Sequence, residues 1–376
     1  MIVQEGMPKK SDAQKDNILN VIRNYDLEHV RIGMIASHSA LDLSAGATEE
    51  KMPTVAVCQK GREQTYKKYS RIINDTLILD NFKDILQDRW QQKLREMNVI
   101  LVPNRSLTAY VDINKVEQNL QIPLFGNRMM LRTDERQLQH ELLATAGITQ
   151  PRKFDSYKDI DRLCMIKAME PIKKIERAFF TAASPEEFLK KWNAKFGCSN
   201  AILEDQMRTG EIWIEEFTLG AQFNFNYFYS PLNKEVEFLG IDRRIQTNLD
   251  GILRLPAEEQ VGRNFDINYV EIGHESATIR ESMLEKVFDI AEKFVVASKR
   301  LYPSGIIGPF SLQGAVTTPD QEIVIYDLSP RMPGSPVLHS SPYSYYYWGY
   351  QVTSGRRVAK EIKEATNSNE LQKIIT

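Results

Sequence analysis

The chain has 376 residues, 42% of them hydrophobic and 26% charged, with 48 basic residues against 50 acidic ones for a net charge of −2. That length exceeds one ordinary core, and that balance leaves no overall field for nucleic acid or an anionic membrane, so any anion site must be local. Three cysteines, Cys58, Cys164 and Cys198, stand far apart without metal spacing, which suits apolar filler in a reducing compartment. No run approaches the ~18 apolar residues of a membrane span, and the first residues lack a signal-peptide core, so the expectation is a cytoplasmic protein.

From residue 31 the pattern is α/β. "RIGMIA" (31–36), "TVAVC" (54–58), "TLILD" (76–80) and "VILVP" (99–103) read as short apolar strands. Helical stretches separate them, among them 82–97 with apolar residues at 82, 85, 86, 90 and 94. Strands and helices alternating at this pitch predict an open parallel sheet up to about residue 125. The pattern then changes. The segment 134–148 reads as a helix ended by Gly147. "LCMIKA" (163–168) and "RAFFTAA" (177–183) read as strands joined by a charged loop. Ser184 and Glu187 form a capping-box spacing before another helix. Residues 211–230 alternate well enough for two antiparallel strands around Gly220, and 235–246 continues that sheet. Residues 278–302 read as one long helix. A hairpin closes the pattern, with a polar turn at 317–321. Near the start of its first strand sits Gln313, near the end of its second Asp327, where an antiparallel pair sets residues opposite one another.

Several residues could carry chemistry. The first strand ends in Ser37, His38 and Ser39 at a helix start; the serines either cap that helix or form an anion site beyond the strand's carboxyl end. Asn104, Arg105 and Ser106 follow another strand at the same edge. Lys167 closes an apolar strand, either snorkelling at a sheet edge or reaching a nucleotide phosphate. Glu215 and Glu216 alternate faces, so one needs a buried donor. "IDRRIQTNLDG" (241–251) groups Arg243, Arg244 and Gln246 as a surface charge cluster or an anion grip. His274 is a lone histidine, structural or binding. No G-x-G-x-x-G follows a strand and no G-x-x-x-x-G-K-[ST] occurs, so neither of those nucleotide-binding modes is supported.

In the same order along the chain, "SHSALDLSAGA", "VPNRS", "PLFGNRMMLR", "NYFYSP", "GIDRRIQTNLDGILRLPA", "TIRESMLEKVF", "GIIGPFSLQ" and "SSPYS…TSGRRVAKEI" resemble the archaeal formate–phosphoribosylaminoimidazolecarboxamide ligase family, within the ATP-grasp enzymes. The resemblance spans about residues 30–365. It implies an α/β N-terminal open parallel sheet (1–125) followed by α+β ATP-grasp domains, a lid (126–210) and a C-terminal part with the metal hairpin (211–376). It implies ATP- and formate-dependent formylation of 5-aminoimidazole-4-carboxamide ribotide in folate-independent purine biosynthesis, through formyl phosphate, by a homo-oligomer with no nucleic-acid or membrane partner. ATP with Mg²⁺ or Mn²⁺ would be bound. By position it assigns His38, Ser106 and His274 to the ribotide, Lys167, Glu215, Glu216 and Gln246 to ATP, Gln313 and Asp327 to the metal, and Lys167, Arg243 and Arg331 to catalysis.

The sequence also departs from the family pattern. That pattern has glutamate at both hairpin positions, asparagine where His274 stands, and R-x-x-x-G-T-N where residues 331–341 read "RMPGSPVLHSS". Its glycine-rich phosphate loop is here "AMEPIKKIERAFF" (168–180), with no glycine; Lys173, Lys174 and Arg177 would have to substitute for backbone N–H donors. The chain therefore reads as a paralogous branch. Its alternatives are a ligase using another carboxylate or amine, and a nucleotide-binding protein that has lost catalysis.

Overall fold

The structure is a computed structural model that describes residues 8–169, 177–197, 200–263, 265, 267, 270–334 and 336–376. Lys173, Lys174 and Cys198 lie outside the described residues, as do the side-chain surroundings of Arg177. No helix among the described residues is long and apolar enough to cross a membrane.

The first sheet is the parallel one expected. Strands β1 (Arg31–Ile35), β2 (Thr54–Gln59), β3 (Asp75–Leu79) and β4 (Val99–Leu101) run in the order β3-β2-β1-β4. Their near-continuous apolar runs follow from burial on both faces. The order reverses between β1 and β4, so the ends of these two neighbours open the crevice where α/β folds bind ligands. Asn104 ties them together there: its Nδ2 donates to the Ile35 and His38 carbonyls at 2.9 and 3.0 Å. The helix expected over 82–97 is broken. A 3₁₀ turn, Phe82–Leu86, is capped by Asn81 and Asp84; the chain then extends at Gln87 before the helix Asp88–Glu96.

The lid sheet contains β5 (Lys153–Phe154), β6 (Cys164–Met169), β7 (Arg177–Ala182) and β8 (Ile212–Glu216), in the order β5-β8-β6-β7. Its core stacks Tyr157, Phe188 and Trp192 under the helix Pro185–Phe196. Ser184 caps that helix, accepting from the Glu187 N–H at 3.2 Å, while Glu187 reaches back to the Ala183 N–H at 2.8 Å.

The third sheet is antiparallel, in the order β11-β10-β9-β12-β13: β9 (Gly220–Ser230), β10 (Glu235–Gln246), β11 (Glu271–Ala277), β12 (Gly308–Thr317) and β13 (Ile323–Ser329). The two strands read around Gly220 are therefore not a pair. β8 joins the lid sheet, six residues beyond the division drawn at 210, and β9 joins the large one. Alternation revealed two strands but not their partners. Gly220 does mark a close approach, since a Cβ there would come 2.3 Å from the Val316 carbonyl oxygen. The hairpin of β12 and β13 forms in the expected register, Gln313 opposite Asp327, with an irregularity after Gln313. One face of the sheet, with Phe225, Ile241, Phe310 and Leu312, packs under the helix Leu284–Leu301. That helix starts later than residue 278, preceded by a 3₁₀ turn at Glu281–Met283.

The chain ends by returning to its beginning. The helix Ser354–Asn367 packs on Ala40–Glu49 in the core of the first sheet. The two backbones meet at glycines: a Cβ on Gly355 would lie 2.4 Å from the Asp42 carbonyl oxygen. Arg357, fully buried, holds the same helix to β10, pairing with Glu237 (2.8 Å) and Glu361 (2.8 Å); Ser230 donates to Glu361 at 2.8 Å. Arg357→Ala would leave two buried carboxylates without their cation, a change that costs about 3–5 kcal/mol. Urea denaturation should show that loss, and an unfolding free energy within 1 kcal/mol of wild type would refute the pairing as a main tie.

Candidate functional site

Pairing sets one polar row across all five strands of the large sheet: Ser276 opposite Asp242, Asp242 opposite Asn224, Asn224 opposite Gln313, Gln313 opposite Asp327. Directly paired residues share a face, so this row lies opposite the apolar face that packs on the helix. Asp242 is its anchor. Its carboxylate is fully buried and accepts from Asn224 Nδ2 (2.7 Å), Asn226 Nδ2 (2.6 Å) and His274 Nδ1 (2.5 Å). His274 Nε2 meets Glu271 at 2.9 Å, and Arg244 Nε lies 2.7 Å from the other Glu271 oxygen. Arg244 Nη2 then donates to Gln313 Oε1 at 2.6 Å.

This row floors a cavity of about 330 Å³ whose other walls come from the first sheet and the loop after β13. His38, from the end of β1, and Arg105, after β4, enter from the switch point; Arg331 enters from beyond β13. Arg105 and Arg331 both lie 3.4 Å from Asp134. Ser39 occupies the helix N-cap position without making a side-chain cap bond; its Oγ instead donates to the Pro333 carbonyl at 2.5 Å. Of the two readings of that turn, simple capping is the one not seen. Gly334 separates His38 from His274: a Cβ there would come 2.5 Å from the His38 ring and 3.6 Å from His274 Nε2.

Four arginines, Arg105, Arg136, Arg244 and Arg331, face three carboxylates, Asp134, Glu271 and Asp327, across this cavity. Arg136 keeps a buried Nε–H without an acceptor, while the Nε–H groups of Arg244 and Arg331 face carboxylates in poor alignment, Glu271 at 2.7 Å and Asp134 at 3.4 Å. Buried donors left unmatched are costly, and an anionic ligand would satisfy them. The two histidines diverge. Burial and the Arg331 charge push His38 down to about 4, so it is neutral at neutral pH. Burial opposes charge on His274 as well, but the Asp242 and Glu271 carboxylates raise it to about 9.

A second cavity, of about 140 Å³, lies between lid and large sheet. Lys167 projects into it from β6, buried, against Glu215 and 3.3 Å from the Tyr326 carbonyl. Burial and the Arg136 charge lower Lys167 to about 8, which Glu215 partly offsets. Glu215 also accepts from Trp213 Nε1 at 2.8 Å, while Glu216 pairs with Arg162 at 3.3 Å, half exposed. Gln246 lines the same cavity. Both cavities share Arg136, Phe179, Arg244 and Asp327.

Of the residues singled out from sequence, His38, His274, Arg331, Gln313 and Asp327 come together in the first cavity, and Lys167, Glu215, Glu216, Gln246 and again Asp327 in the second. Arg243 does not join them. Strand alternation turns Asp242 and Arg244 inward and leaves Arg243 exposed, so Arg244 is the arginine in place. Ser106 is buried in the first turn of its helix and lines neither cavity. Arg136 was missed, because it opens a helix in the mixed-charge run "RTDERQ", which reads as a solvated helix start. Glu271 was missed as well, though its place three residues before His274 was a usable signal.

The donors fit a divalent cation brought by phosphate. Asp327 and the Gln313 amide are hard oxygen donors side by side, and both already hold cations: Arg136 lies 3.1 Å from Asp327 Oδ1, and Arg244 holds Gln313. Mg²⁺ is commonly bound by one or two carboxylates plus substrate phosphates. Among the described residues no group of three or more His, Cys, Asp or Glu is gathered to hold a metal without that help.

Residues 187–376 match a family described as a domain of unknown function (DUF1297), and residues 32–154 one described as a protein of unknown function (DUF1246). The chain is 39% identical to the 5-formaminoimidazole-4-carboxamide-1-(beta)-D-ribofuranosyl 5'-monophosphate synthetase of Methanobrevibacter smithii, over 97% of this chain and 99% of that protein. It is also 39% identical to the protein of that name from Methanocaldococcus jannaschii, over 96% and 99%. Among solved structures it is similar to an IMP biosynthesis protein, PurP, from Thermococcus kodakaraensis, with a TM-score of 0.69 and 26% identity over 92% of this chain and 100% of that one. It is similar in fold to the ADP complex of an N5-carboxyaminoimidazole ribonucleotide synthetase, with a TM-score of 0.55 and 13% identity over 81% and 70%. The α/β part followed by ATP-grasp domains is thereby shown.

The raised His274 makes a stability prediction. Folded, it keeps its proton up to about 9; unfolded, it loses it near 6.5. Its contribution is therefore complete below about pH 6.5 and is lost as pH rises toward 9. The difference in thermal midpoint between wild type and His274→Gln should be largest near pH 6 and shrink toward pH 9. A gap that widens with pH would contradict the charged assignment.

Proposed function

This chain belongs to the family of the 5-formaminoimidazole-4-carboxamide ribotide synthetases, and we propose that it is the ATP-dependent carbon–nitrogen ligase joining formate to the amine of 5-aminoimidazole-4-carboxamide ribotide in IMP biosynthesis. The observation that carries this reading is the meeting of two cavities at Arg136, Arg244, Asp327 and Phe179. A group activated by the nucleotide in one can be handed to an amine in the other without leaving the protein.

The nucleotide takes the cavity of Lys167, Glu215, Glu216 and Gln246. Lys167 is cationic below about 8 and meets phosphate oxygens, while Glu215 holds its ammonium in place. The ribotide takes the larger cavity, its phosphate drawn to the switch point by Arg105 and Arg331, with His274 lining the same cavity and holding Glu271 in place. A formate oxygen attacks the γ-phosphorus; the bond from that phosphorus to its bridging oxygen breaks and ADP leaves. The ribotide amine then attacks the formyl carbon, the bond to phosphate breaks, and the departing phosphate takes the proton the amine gives up. Arg136 and Arg244 stand where negative charge gathers in both steps. A magnesium ion held by Asp327 and the Gln313 amide would offset the charge of the triphosphate. The homo-oligomer implied by the family is part of the proposal; the exposed Tyr345, Tyr346 and Tyr347 are apolar surface available to it.

The test is ADP release by the purified protein with ATP, Mg²⁺, formate and the ribotide, each omitted in turn. ADP should form only with all four, together with one formylated ribotide by mass spectrometry. ADP release independent of ribotide, or a different acylated product, would overturn the reading. Asp327→Ala should lose at least about a hundredfold in turnover while ribotide affinity stays within a few-fold; full activity would remove Asp327 from the metal assignment.

A further inference from the structure

Phe179 points away from the core of its own sheet. On β7 its neighbour Phe180 is buried in the lid core, its ring 5.6 Å from that of Phe188. Alternation then turns Phe179 the other way, to the face it shares with its cross-strand partner Lys167. There it stands half-buried against charged groups, the one aromatic side chain lining both cavities among the described residues. The other three shared residues are Arg136, Arg244 and Asp327. The guanidiniums are held from below, Arg136 by Asp327 and Arg244 by Gln313 and Glu271.

A carboxylate that accepts a phosphoryl group and is then attacked by an amine must sit where the cavities meet. Its carbon has three substituents in one plane. One oxygen would face the nucleotide cavity and take the phosphoryl group; the other would lie on the guanidiniums of Arg136 and Arg244. The amine approaches across the plane, from the ribotide cavity. The third substituent, a hydrogen in formate and a methyl group in acetate, is left facing the remaining wall, which is the lid strand and its Phe179 ring.

We propose that Phe179 is the specificity-determining residue that limits the activated carboxylate to formate, by filling the space a carbon substituent would need at the junction of the two cavities. The inference rests on the proposed function for the reaction, but the size limit itself is independent of which amine is acylated. An apolar wall excludes one extra carbon by about 10–200-fold, so removing the ring should return a factor of that order.

The experiment compares formate with acetate for wild type, Phe179→Ala and Phe179→Leu. One readout is kcat/KM from ribotide-dependent ADP release. The other is equilibrium affinity for each carboxylate with Mg²⁺ and a non-hydrolysable ATP analogue bound. Wild type should prefer formate strongly in both. Phe179→Ala should lower the formate-to-acetate ratio by about tenfold or more, with acetylated ribotide appearing, and Phe179→Leu should fall between. A circular dichroism spectrum and a thermal midpoint matching wild type in the variants show that the protein is folded. An unchanged ratio in both readouts overturns the inference, as does a wild type that binds acetate as well as formate. If no formylated ribotide forms but the alanine variant gains acetate binding, the proposed function fails while the role of Phe179 stands.

Discussion

A single buried carboxylate organises the site. Asp242 has no access to water, and a lone charge there would be prohibitive. It is tolerated because two amides and an imidazolium, from Asn224, Asn226 and His274, converge on it from both neighbouring strands. The rest of the floor follows. His274, held charged, fixes Glu271; Glu271 and Gln313 fix Arg244; Gln313 faces Asp327, which holds Arg136. Each side chain is positioned by the one before it, and the chain of contacts crosses the sheet from β11 to β13 and out to the helix at Arg136.

That arrangement bears on the departures from the family pattern. A neutral amide at Gln313 gives a metal one negative charge fewer than a carboxylate would, but it can hold a guanidinium without neutralising it. Arg244 is held between that amide and the Glu271 carboxylate. His274 brings a further cation where an amide would bring none. Relative to that pattern the floor has one carboxylate fewer and one imidazolium more, which suits a ligand set made of a triphosphate, a ribotide phosphate and a carboxylate. A protein that merely bound nucleotide would have no use for a second cation-rich cavity joined to the first.

Much of this was legible in the sequence, because it depended on local periodicity. The parallel sheet came from apolar runs with helices between them, though its strand order, and so its switch point, did not. The facing of Gln313 and Asp327 came from the hairpin's turn and alternation. What was not legible depended on long-range choices. Period-two patterning at 211–230 revealed β8 and β9, yet nothing in it said that one pairs with the lid and the other with the large sheet. Of the pair Arg243–Arg244 the resemblance assigned Arg243, and the direction of the strand's faces decides for Arg244. Arg136 is remote in sequence from the hairpin it serves, so no local pattern could have placed it. Phe179 and Phe180 sit side by side in one predicted strand, and one residue of register separates cavity lining from core.

At the junction of the cavities a carboxylate is activated by direct transfer of phosphoryl to one of its oxygens. Turnover with formate labelled in both oxygens with heavy oxygen, followed by mass spectrometry of the phosphate released, distinguishes this from any other route. Direct transfer leaves one labelled oxygen in each phosphate, carried over when the bond between formyl carbon and bridging oxygen breaks, and the other in the formylated ribotide. Phosphate released without label would mean that ATP is cleaved by water, and that the shared junction does not do what its geometry is here taken to do.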